Sequence, residues 1–189
     1  MTNIGIIDIE STGLDANRNL IVEVGITKLN LTTGERELIF DSVCHERLRT
    51  RELTKKEVEE AWIVTQGYMQ VEEIRQAPHF SKIKPEIQRI INGLDGTTAF
   101  NKKFDESFLK VRGIKFPNSL PCPMLLATDV CKIKFPSSPK SKRNKWPNVE
   151  EAWKHFFPDQ PYVEKHRGGD DSFHEAAIVF ELFKLGFYG

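Results

Sequence analysis

The sequence is poor in cysteine and has no long apolar run. Its 189 residues include only three cysteines, Cys44, Cys122 and Cys131, none of them in a Cys-x-x-Cys spacing. This excludes a disulfide scaffold and argues against a zinc finger, so we expect reduced, structural thiols. No stretch of about 18 apolar residues is present, so no transmembrane helix is expected. The first residues lack the basic stretch and cleavage site of a signal peptide. The sequence therefore predicts a cytoplasmic protein that does not bind membranes.

The sequence also lacks an excess of charge of either sign. It has 27 basic and 27 acidic residues, and its formal net charge is zero. This balance argues against a wholly basic nucleic-acid binder, but it is compatible with a local basic groove. The basic residues between Lys140 and Lys145 are a candidate phosphate-binding segment, although a solvated loop is the simpler explanation. The length is that of one ordinary domain, which we assign to residues 1–189.

Two carboxylates lie at the end of an apolar run near the start of the chain. The run from Ile4 to Ile9 is β-branched and predicts a buried strand. Asp8 and Glu10 occupy alternate positions at its end, so they face the same side of a sheet. Open α/β sheets bind ligands at the carboxyl ends of their strands. Neighbouring anions there repel each other, and Mg²⁺ or Mn²⁺ would relieve the repulsion because these ions prefer carboxylate oxygens. A strand that simply ends in an acidic loop is the alternative at this point.

The rest of the chain predicts a mixed α/β sheet. Apolar runs between turn residues predict strands over residues 4–9, 20–27, 37–44, 97–100 and 124–129. Helical spacing of apolar residues predicts four helices. The first begins near residue 82, because Pro85 is tolerated only in the first turn of a helix. The others span residues 104–112, 149–156 and 171–184. Short connections make the first three strands antiparallel, and right-handed crossovers place the last two parallel to the first. We therefore expect a five-stranded sheet, three strands antiparallel and two parallel, flanked by helices.

Three further polar residues are expected at the end of the first strand. Asp105 follows the fourth strand, and His166 and Asp171 lie on either side of the start of the last helix. Each alone has a simpler explanation, since acids are favoured at helix N-termini and histidines occur in loops. Together they bring four carboxylates and one histidine to one edge of the sheet, which is strongly destabilising without metal. With two divalent ions, such a cluster suits in-line attack on a phosphate.

These residues carry a resemblance to a known family. Three motifs match, in order and at the usual distances, those of the DnaQ-like 3′–5′ exonucleases of the DEDDh branch. The motifs are Asp8-x-Glu10 followed by Ser11-Thr12-Gly13-Leu14, then Phe100-Asn101-x-x-Phe104-Asp105, then His166-x4-Asp171. The proofreading subunit of bacterial replicative polymerase belongs to this family. The resemblance spans almost the whole chain and implies a ribonuclease H-like fold and a phosphodiester hydrolase.

The resemblance also implies a role for each matching residue. Two divalent metal ions, Mg²⁺ or Mn²⁺, would be bound by Asp8, Glu10, Asp105 and Asp171. His166 would be the general base that takes a proton from the attacking water, which suits an imidazole because its pKa lies near working pH. The 3′-terminal nucleotide would be held by Ile9, Ser11, Thr12, Gly13, Leu14, Asn101 and Phe104. The product would be a nucleoside 5′-monophosphate.

Two departures from the family pattern bear on this site. The family usually has His-x-Ala-Leu-x-Asp-Ala, whereas this chain has Gly168, Gly169 and Ser172. We expect the two glycines to make the His166 loop mobile. Many members have a His-Gly-Ile-Thr stretch whose histidine approaches the substrate. The nearest match here begins at Trp62 and contains no histidine.

Three functions are compatible with this pattern. The first is a DNA 3′–5′ exonuclease. The second is a 3′–5′ exoribonuclease, since discrimination between the two rests on contacts to the 2′-hydroxyl. The third is a catalytically silent nucleic-acid-binding module, although such a module should have lost metal ligands. The expected partners are single-stranded DNA or RNA 3′ ends, and a DNA polymerase is a candidate protein partner. Trp146 and Trp153 are expected to pack rather than to stack on bases.

Overall fold

The first strand of the chain lies inside a mixed sheet. The computed structural model describes residues 1–46, 55–138 and 140–188. Within them, the strands are β1 (Asn3–Ser11), β2 (Ile21–Asn30), β3 (Arg36–Val43) and β4 (Gly96–Thr98), in the spatial order β3-β2-β1-β4. β1 pairs antiparallel with β2 and parallel with β4, and β2 pairs antiparallel with β3. The predicted mixed sheet with β1 in its interior is confirmed.

Helices flank this sheet. In the described part of the chain they are α1 (Lys55–Glu59), α2 (Trp62–Thr65), α3 (Val71–Gln76), α4 (Phe80–Asn92), α5 (Lys102–Val111), α6 (Pro123–Cys131), α7 (Val149–Phe156) and α8 (Gly168–Lys184). α7 has the predicted bounds. α4 begins ahead of the predicted start because the His79 side chain caps the Ser81 amide, so Pro85 lies beyond its first turn. No helix among the described residues is long and apolar enough to cross a membrane.

The predicted fifth strand is a helix. Residues 124–129 lie within α6, and Pro123 occupies its first turn, where an amide proton is not needed. The methionine, leucines and alanine of this run are strong helix formers, and a short apolar run does not distinguish a buried strand from a helix. The position beyond β4 holds only an isolated parallel bridge between Thr97 and Ser119. The described sheet therefore has four strands, and the prediction of five is wrong.

The side chains of β1 alternate between two hydrophobic clusters. Ile4 and Ile6 pack in a cluster with residues of α6, α7 and α8. Ile7 and Ile9 pack on the other face of the sheet, against α4 and α5. Because the side-chain period of a strand is two, Asp8 and Glu10 continue the row of Ile4 and Ile6 on the α8 face. The alternation thus turns both carboxylates toward α8.

Candidate active site

The carboxylates of β1 are partly buried at its carboxyl end. Asp8 and Glu10 face a cavity of about 550 Å³. Burial raises the pKa of Asp8 well above its usual range, and the charges of Glu175 and Asp105 add to this effect. Burial also raises the pKa of Glu10 to about 9, with the charge of Asp171 as the next contribution. Without a cation, burial and the neighbouring carboxylates therefore both oppose the ionisation of Glu10.

Asp105 reaches the same place from the first turn of α5. Its side chain is 3% exposed, and its Oδ1 accepts a hydrogen bond of 3.2 Å from the Ile9 amide. Since Ile9 lies between Asp8 and Glu10, this bond places Asp105 beside both. Burial raises the pKa of Asp105 to about 8, and its backbone hydrogen bonds oppose the effect only in part.

Asp171 lies in the first turn of α8 and is held by the loop that precedes this helix. It is 1% exposed. Its Oδ1 accepts hydrogen bonds from the Tyr162 hydroxyl at 2.7 Å and the Lys165 amide at 3.2 Å. Its Oδ2 accepts a hydrogen bond of 2.8 Å from the Arg167 amide. Several donors on one carboxylate fix its orientation.

The His166 ring lies between carboxylates and aromatic side chains. Its ring centroid is 4.8 Å from that of Trp62 and 4.4 Å from that of Tyr68, edge-on in both cases. One ring nitrogen lies within 4.8 Å of carboxylate oxygens of Glu10 and Asp171. Burial lowers the pKa of His166 below its usual range. The imidazole is therefore neutral, and able to accept a proton, near neutral pH.

Close backbone packing positions the start of α8. The helix begins at Gly168, and both Gly168 and Gly169 are buried. A Cβ atom on Gly25 of β2 would lie 2.0 Å from the Gly168 carbonyl oxygen, so the two backbones approach closer than a side chain allows. Both glycines were predicted to lie in the loop that carries His166, and this placement is wrong. Both are helical, and their small size permits the helix to contact β2.

An ion-pair network around the buried Glu23 holds Arg167, the residue between His166 and α8. The Arg167 guanidinium donates to both carboxylate oxygens of Glu23, at 2.8 to 3.1 Å, and to Oε1 of Glu73 at 2.8 Å. Glu23 is 1% exposed and also accepts a hydrogen bond of 3.0 Å from the Gly168 amide. Paired hydrogen bonds of this kind are geometrically specific. Side chains of β2 and α3 thus hold the Arg167 side chain, and Glu23 of β2 also holds the Gly168 amide.

Several solved structures share the fold of this chain. A 3′-exonuclease that recognises the 3′ end of the histone mRNA stem-loop has 17% identity and a TM-score of 0.66, over 99% of this chain and 84% of that one. The nuclease domain of 3′hExo, a DEDDh family member bound to rAMP, has 18% identity and a TM-score of 0.62, over 99% and 94%. The chain has the fold of the DEDDh 3′-exonucleases.

This exonuclease fold also occurs in a longer enzyme. Exonuclease I of E. coli, in complex with a dA16 oligonucleotide, has 12% identity and a TM-score of 0.62 over 98% of this chain, which spans 41% of that enzyme. No sequence profile of a protein family matches the chain, and no curated protein sequence is significantly similar to it. The likeness is therefore one of fold.

The predicted substrate-binding residues of the exonuclease fold lie in two groups. Those that line the cavity are Ile9, Leu14, Asn101 and Phe104. Leu14 is 88% exposed. The others form the turn that carries Leu14. The Ser11 hydroxyl donates to the Gly13 carbonyl at 2.6 Å, and the Leu20 amide donates to Thr12 Oγ1 at 3.0 Å.

Trp146 differs from its sequence prediction. Its indole is 62% exposed and lines the cavity. Trp153 is 7% exposed and donates from Nε1 to the Gln160 carbonyl at 2.7 Å. The packing prediction is confirmed for Trp153 and wrong for Trp146. The neighbouring Lys145 ammonium also lines the cavity and is paired with Glu151 Oε1 at 2.5 Å.

Two acidic residues outside the predicted site also line the cavity. They are Glu164, in the loop before α8, and Glu175, one turn after Asp171 on α8. Burial raises the pKa of Glu164 to about 7 and that of Glu175 well above its usual range. The four-residue step from Asp171 to Glu175 puts both on one face of the helix. That spacing was a signal available in the sequence.

The composition of the cluster fits a hard divalent cation. Carboxylate oxygens are the ligands that Mg²⁺ and Mn²⁺ prefer. The raised pKa values of Glu10 and Asp105 reflect burial and mutual repulsion that the cations of the chain do not offset. In addition, one buried oxygen, Oε2 of Glu175, has no hydrogen-bond partner among the described residues. The ends of β1, α5 and α8 therefore provide the donor set of a metal centre.

Proposed function

We propose that the protein is a divalent-metal-dependent 3′–5′ exonuclease that removes nucleoside 5′-monophosphates from the 3′ end of DNA. Because a fold alone does not fix an activity, the proposal depends on the chemistry of one cluster. The observation that supports the proposal is the group of carboxylates at the end of β1, with a neutral His166 beside them, in the fold of the 3′-exonucleases.

The proposed metal ligands are Asp8, Glu10, Asp105 and Asp171. When bound there, divalent ions supply an activated water and offset the charge of the scissile phosphate. The ligands come from three elements whose positions are set by packing. Hydrogen bonds from the amides of Ile9 and Arg167 hold two of the carboxylates in place. The site is thus largely organised before the substrate arrives, which lowers the cost of orienting the reaction.

His166 is the proposed general base. Its lowered pKa keeps the imidazole unprotonated at neutral pH, which is the state that takes a proton from the attacking water. The rings of Trp62 and Tyr68 restrict its rotation. Trp62 stands where the family pattern has a substrate-contacting histidine, and here it contacts the base.

The apolar side of the cavity is the proposed site for the terminal nucleotide. Leu14 and Trp146 line it with most of their surface exposed, and Phe104 lies beside them. Large exposed apolar side chains around a cavity are typical of a binding site. Stacking of a base on such a side chain contributes about 1–3 kcal/mol and tolerates any sequence. The Asn101 amide adds a polar contact at the same cavity.

An exoribonuclease is the second candidate function. One similar structure belongs to an enzyme that recognises a histone mRNA, and another is bound to rAMP. Exonuclease I, by contrast, is bound to a DNA oligonucleotide. The same carboxylates would serve either substrate. A silent binding module is the third candidate, and the complete set of carboxylates opposes it. Single-stranded 3′ ends are the proposed partners, and a polymerase partner stays a prediction.

Shortening of a labelled single strand tests the proposal. We expect the purified protein to shorten 5′-labelled DNA from its 3′ end with Mg²⁺ or Mn²⁺ and not in EDTA. The reason is that the clustered carboxylates repel a negatively charged phosphate unless a cation offsets their charge. Asp8→Asn is the matched control, because it keeps the size of the side chain and removes its charge.

Parallel strands of DNA and RNA separate the candidate functions. Faster shortening of RNA under the same conditions would assign the exoribonuclease function. Binding of both strands without shortening, at any metal concentration, would assign the silent module. Undiminished activity after exhaustive dialysis against EDTA would contradict the metal dependence.

A further inference from the structure

Glu175 differs from the other buried glutamates of the described chain. It lies on α8 and is 3% exposed. The other buried glutamates each have a cationic partner: Glu23 pairs with Arg167, Glu46 with Arg112 and Glu106 with Lys110. Buried charges are normally paired in this way or bind a metal. Among the described residues, Glu175 has no such partner.

The hydrogen bonds of Glu175 leave one oxygen unused. A backbone hydrogen bond with Phe100 accounts for part of the carboxylate. Oε2 is buried and has no hydrogen-bond partner among the described residues. Buried side-chain oxygens almost always have a partner, and each exception requires an explanation such as an ion.

The surroundings of Glu175 point to a cation. Its side chain lines the cavity at the end of β1 together with Asp8 and Asp105. The charges that act on it come from other acids, with Asp105 first. Asp171, one turn earlier, differs because both of its oxygens already accept hydrogen bonds from the preceding loop. Of these two acids of α8, Glu175 therefore has the less committed carboxylate.

We propose that Glu175 is a fifth carboxylate ligand of the metal centre. The proposal rests on the proposed function, because it assumes the divalent ions of that site. Its position one helical turn after Asp171 places it on the cavity that Asp8 also lines. The motif of the resembling family ends at Asp171 and does not include this position.

Binding of Mn²⁺ alone, measured by calorimetry without nucleic acid, tests the assignment. Three variants are compared with the wild type. Glu175→Gln removes the charge and keeps the shape. Glu175→Asp keeps the charge and withdraws it by one methylene. Glu181→Gln is the control, because Glu181 is on the same helix and pairs with Lys184 at 2.6 Å.

A ligand role predicts weaker binding for both Glu175 variants. We expect a loss of about 10- to 100-fold or more in Mn²⁺ affinity, as for other changes close to a metal, and wild-type affinity for the control. Thermal melting in EDTA checks the fold. Glu175→Gln should melt at or above the wild-type temperature, because the amide relieves the repulsion. The rise in melting temperature on adding Mn²⁺ should be smaller in both variants.

Two outcomes would overturn the assignment. Wild-type affinity in Glu175→Gln would make Glu175 a structural acid. Wild-type affinity in Glu175→Asp, with weak binding in Glu175→Gln, would make it a distant charge rather than a ligand. The proposed function fails separately. A wild-type protein that binds Mn²⁺ but shortens no strand would contradict the exonuclease function, and the Mn²⁺ affinities of the Glu175 variants would still decide the ligand assignment. A wild-type protein that binds no Mn²⁺ would contradict both proposals.

Discussion

His166 is positioned through its ring as well as its backbone. The rings of Trp62 and Tyr68 contact it, and the adjacent Arg167 is tied to Glu23. A backbone φ of 52° at His166 places it in the left-handed region, which a non-glycine residue adopts only when its surroundings enforce it. The proposed base is therefore in place without substrate.

Replacement of His166 by alanine tests its role. We expect the rate to fall by about 10²–10⁴-fold, the usual contribution of a positioned base, while metal still binds. The wild-type rate should fall at acid pH as the imidazole is protonated. Since burial lowers the pKa of His166, this fall should lie below the ordinary value of about 6.5. The pH dependence of kcat/KM is the measurement, and the variant should lack the acid limb.

Asp171→Asn is the comparison for this experiment. It removes a proposed ligand and leaves the base, so part of its defect should be recovered at higher Mn²⁺ concentration. A His166→Ala enzyme with the wild-type acid limb would remove His166 from the mechanism.

Residue burial limits what the sequence predicts about the site. Asp8 and Asp105 were predicted as site residues because each lies near the carboxyl end of a predicted strand, where topology alone brings side chains together. Glu175 was missed because an acid inside a helix has the pattern of a solvated residue. Trp146 was expected to pack, yet it is exposed. The burial of a polar residue and the exposure of an apolar one are set by tertiary packing, which a local pattern does not contain.

At the scale of elements, the contact between β2 and α8 positions the acidic residues that α8 contributes to the site. Gly25 and Gly168 bring the two backbones together. α8 then places Asp171 near Glu10, and Glu175 at the cavity that Asp8 lines. The N-terminus of α8 therefore has little freedom to move away from the sheet.

Gly25→Ala should disturb both stability and activity. The added Cβ would lie 2.0 Å from the Gly168 carbonyl oxygen, so α8 must shift. Overpacking of this kind costs about 1–3 kcal/mol, and here it also displaces Asp171. Thermal melting and the shortening assay are the measurements. Gly93→Ala is the control, since its Cβ would have no neighbour closer than 3.5 Å. A Gly25→Ala protein as stable and active as the control would contradict the proposed contact.

Elements were predicted best where several signals agreed. α7 has both an apolar stripe and a capping box of Asn148 and Glu151, and its predicted bounds are those of the structure. The segment of α6 had only a short apolar run, which fits a strand or a helix equally well. Pro123 was the remaining local indication of a helix start.

At the scale of the whole molecule, a neutral protein contains a strongly acidic interior. The net charge is zero, yet the cavity at the end of β1 gathers carboxylates whose ionisation is opposed by burial and by one another. Overall charge balance therefore conceals a local imbalance. The stability of the metal-free protein should depend on pH for this reason.

Without metal, the protein should become less stable as the pH rises. The folded pKa is raised to about 9 for Glu10 and to about 8 for Asp105. A group with a raised folded pKa contributes stability below its unfolded pKa and loses it as the pH rises through the folded value. In EDTA, the melting temperature should therefore fall between about pH 5 and about pH 9, where unfolded carboxyls are ionised.

Metal provides the control for this experiment. Saturating Mn²⁺ should make the melting temperature much less dependent on pH, because the cation offsets the ionised carboxylates. A melting temperature in EDTA that stays constant or rises over this range would contradict the crowded acidic site.

The contact between Trp62 and His166 also gives the protein an optical reporter. A protonated imidazole quenches the fluorescence of an indole in contact with it. The chain has three tryptophans, and in a Trp146→Phe, Trp153→Phe background the emission would come from Trp62 alone. A fluorescence titration of that protein would follow the protonation of His166 without substrate or turnover. Repeating the pH titration with diamagnetic Mg²⁺ would show, from the shift in its midpoint, how a bound cation changes the protonation of His166.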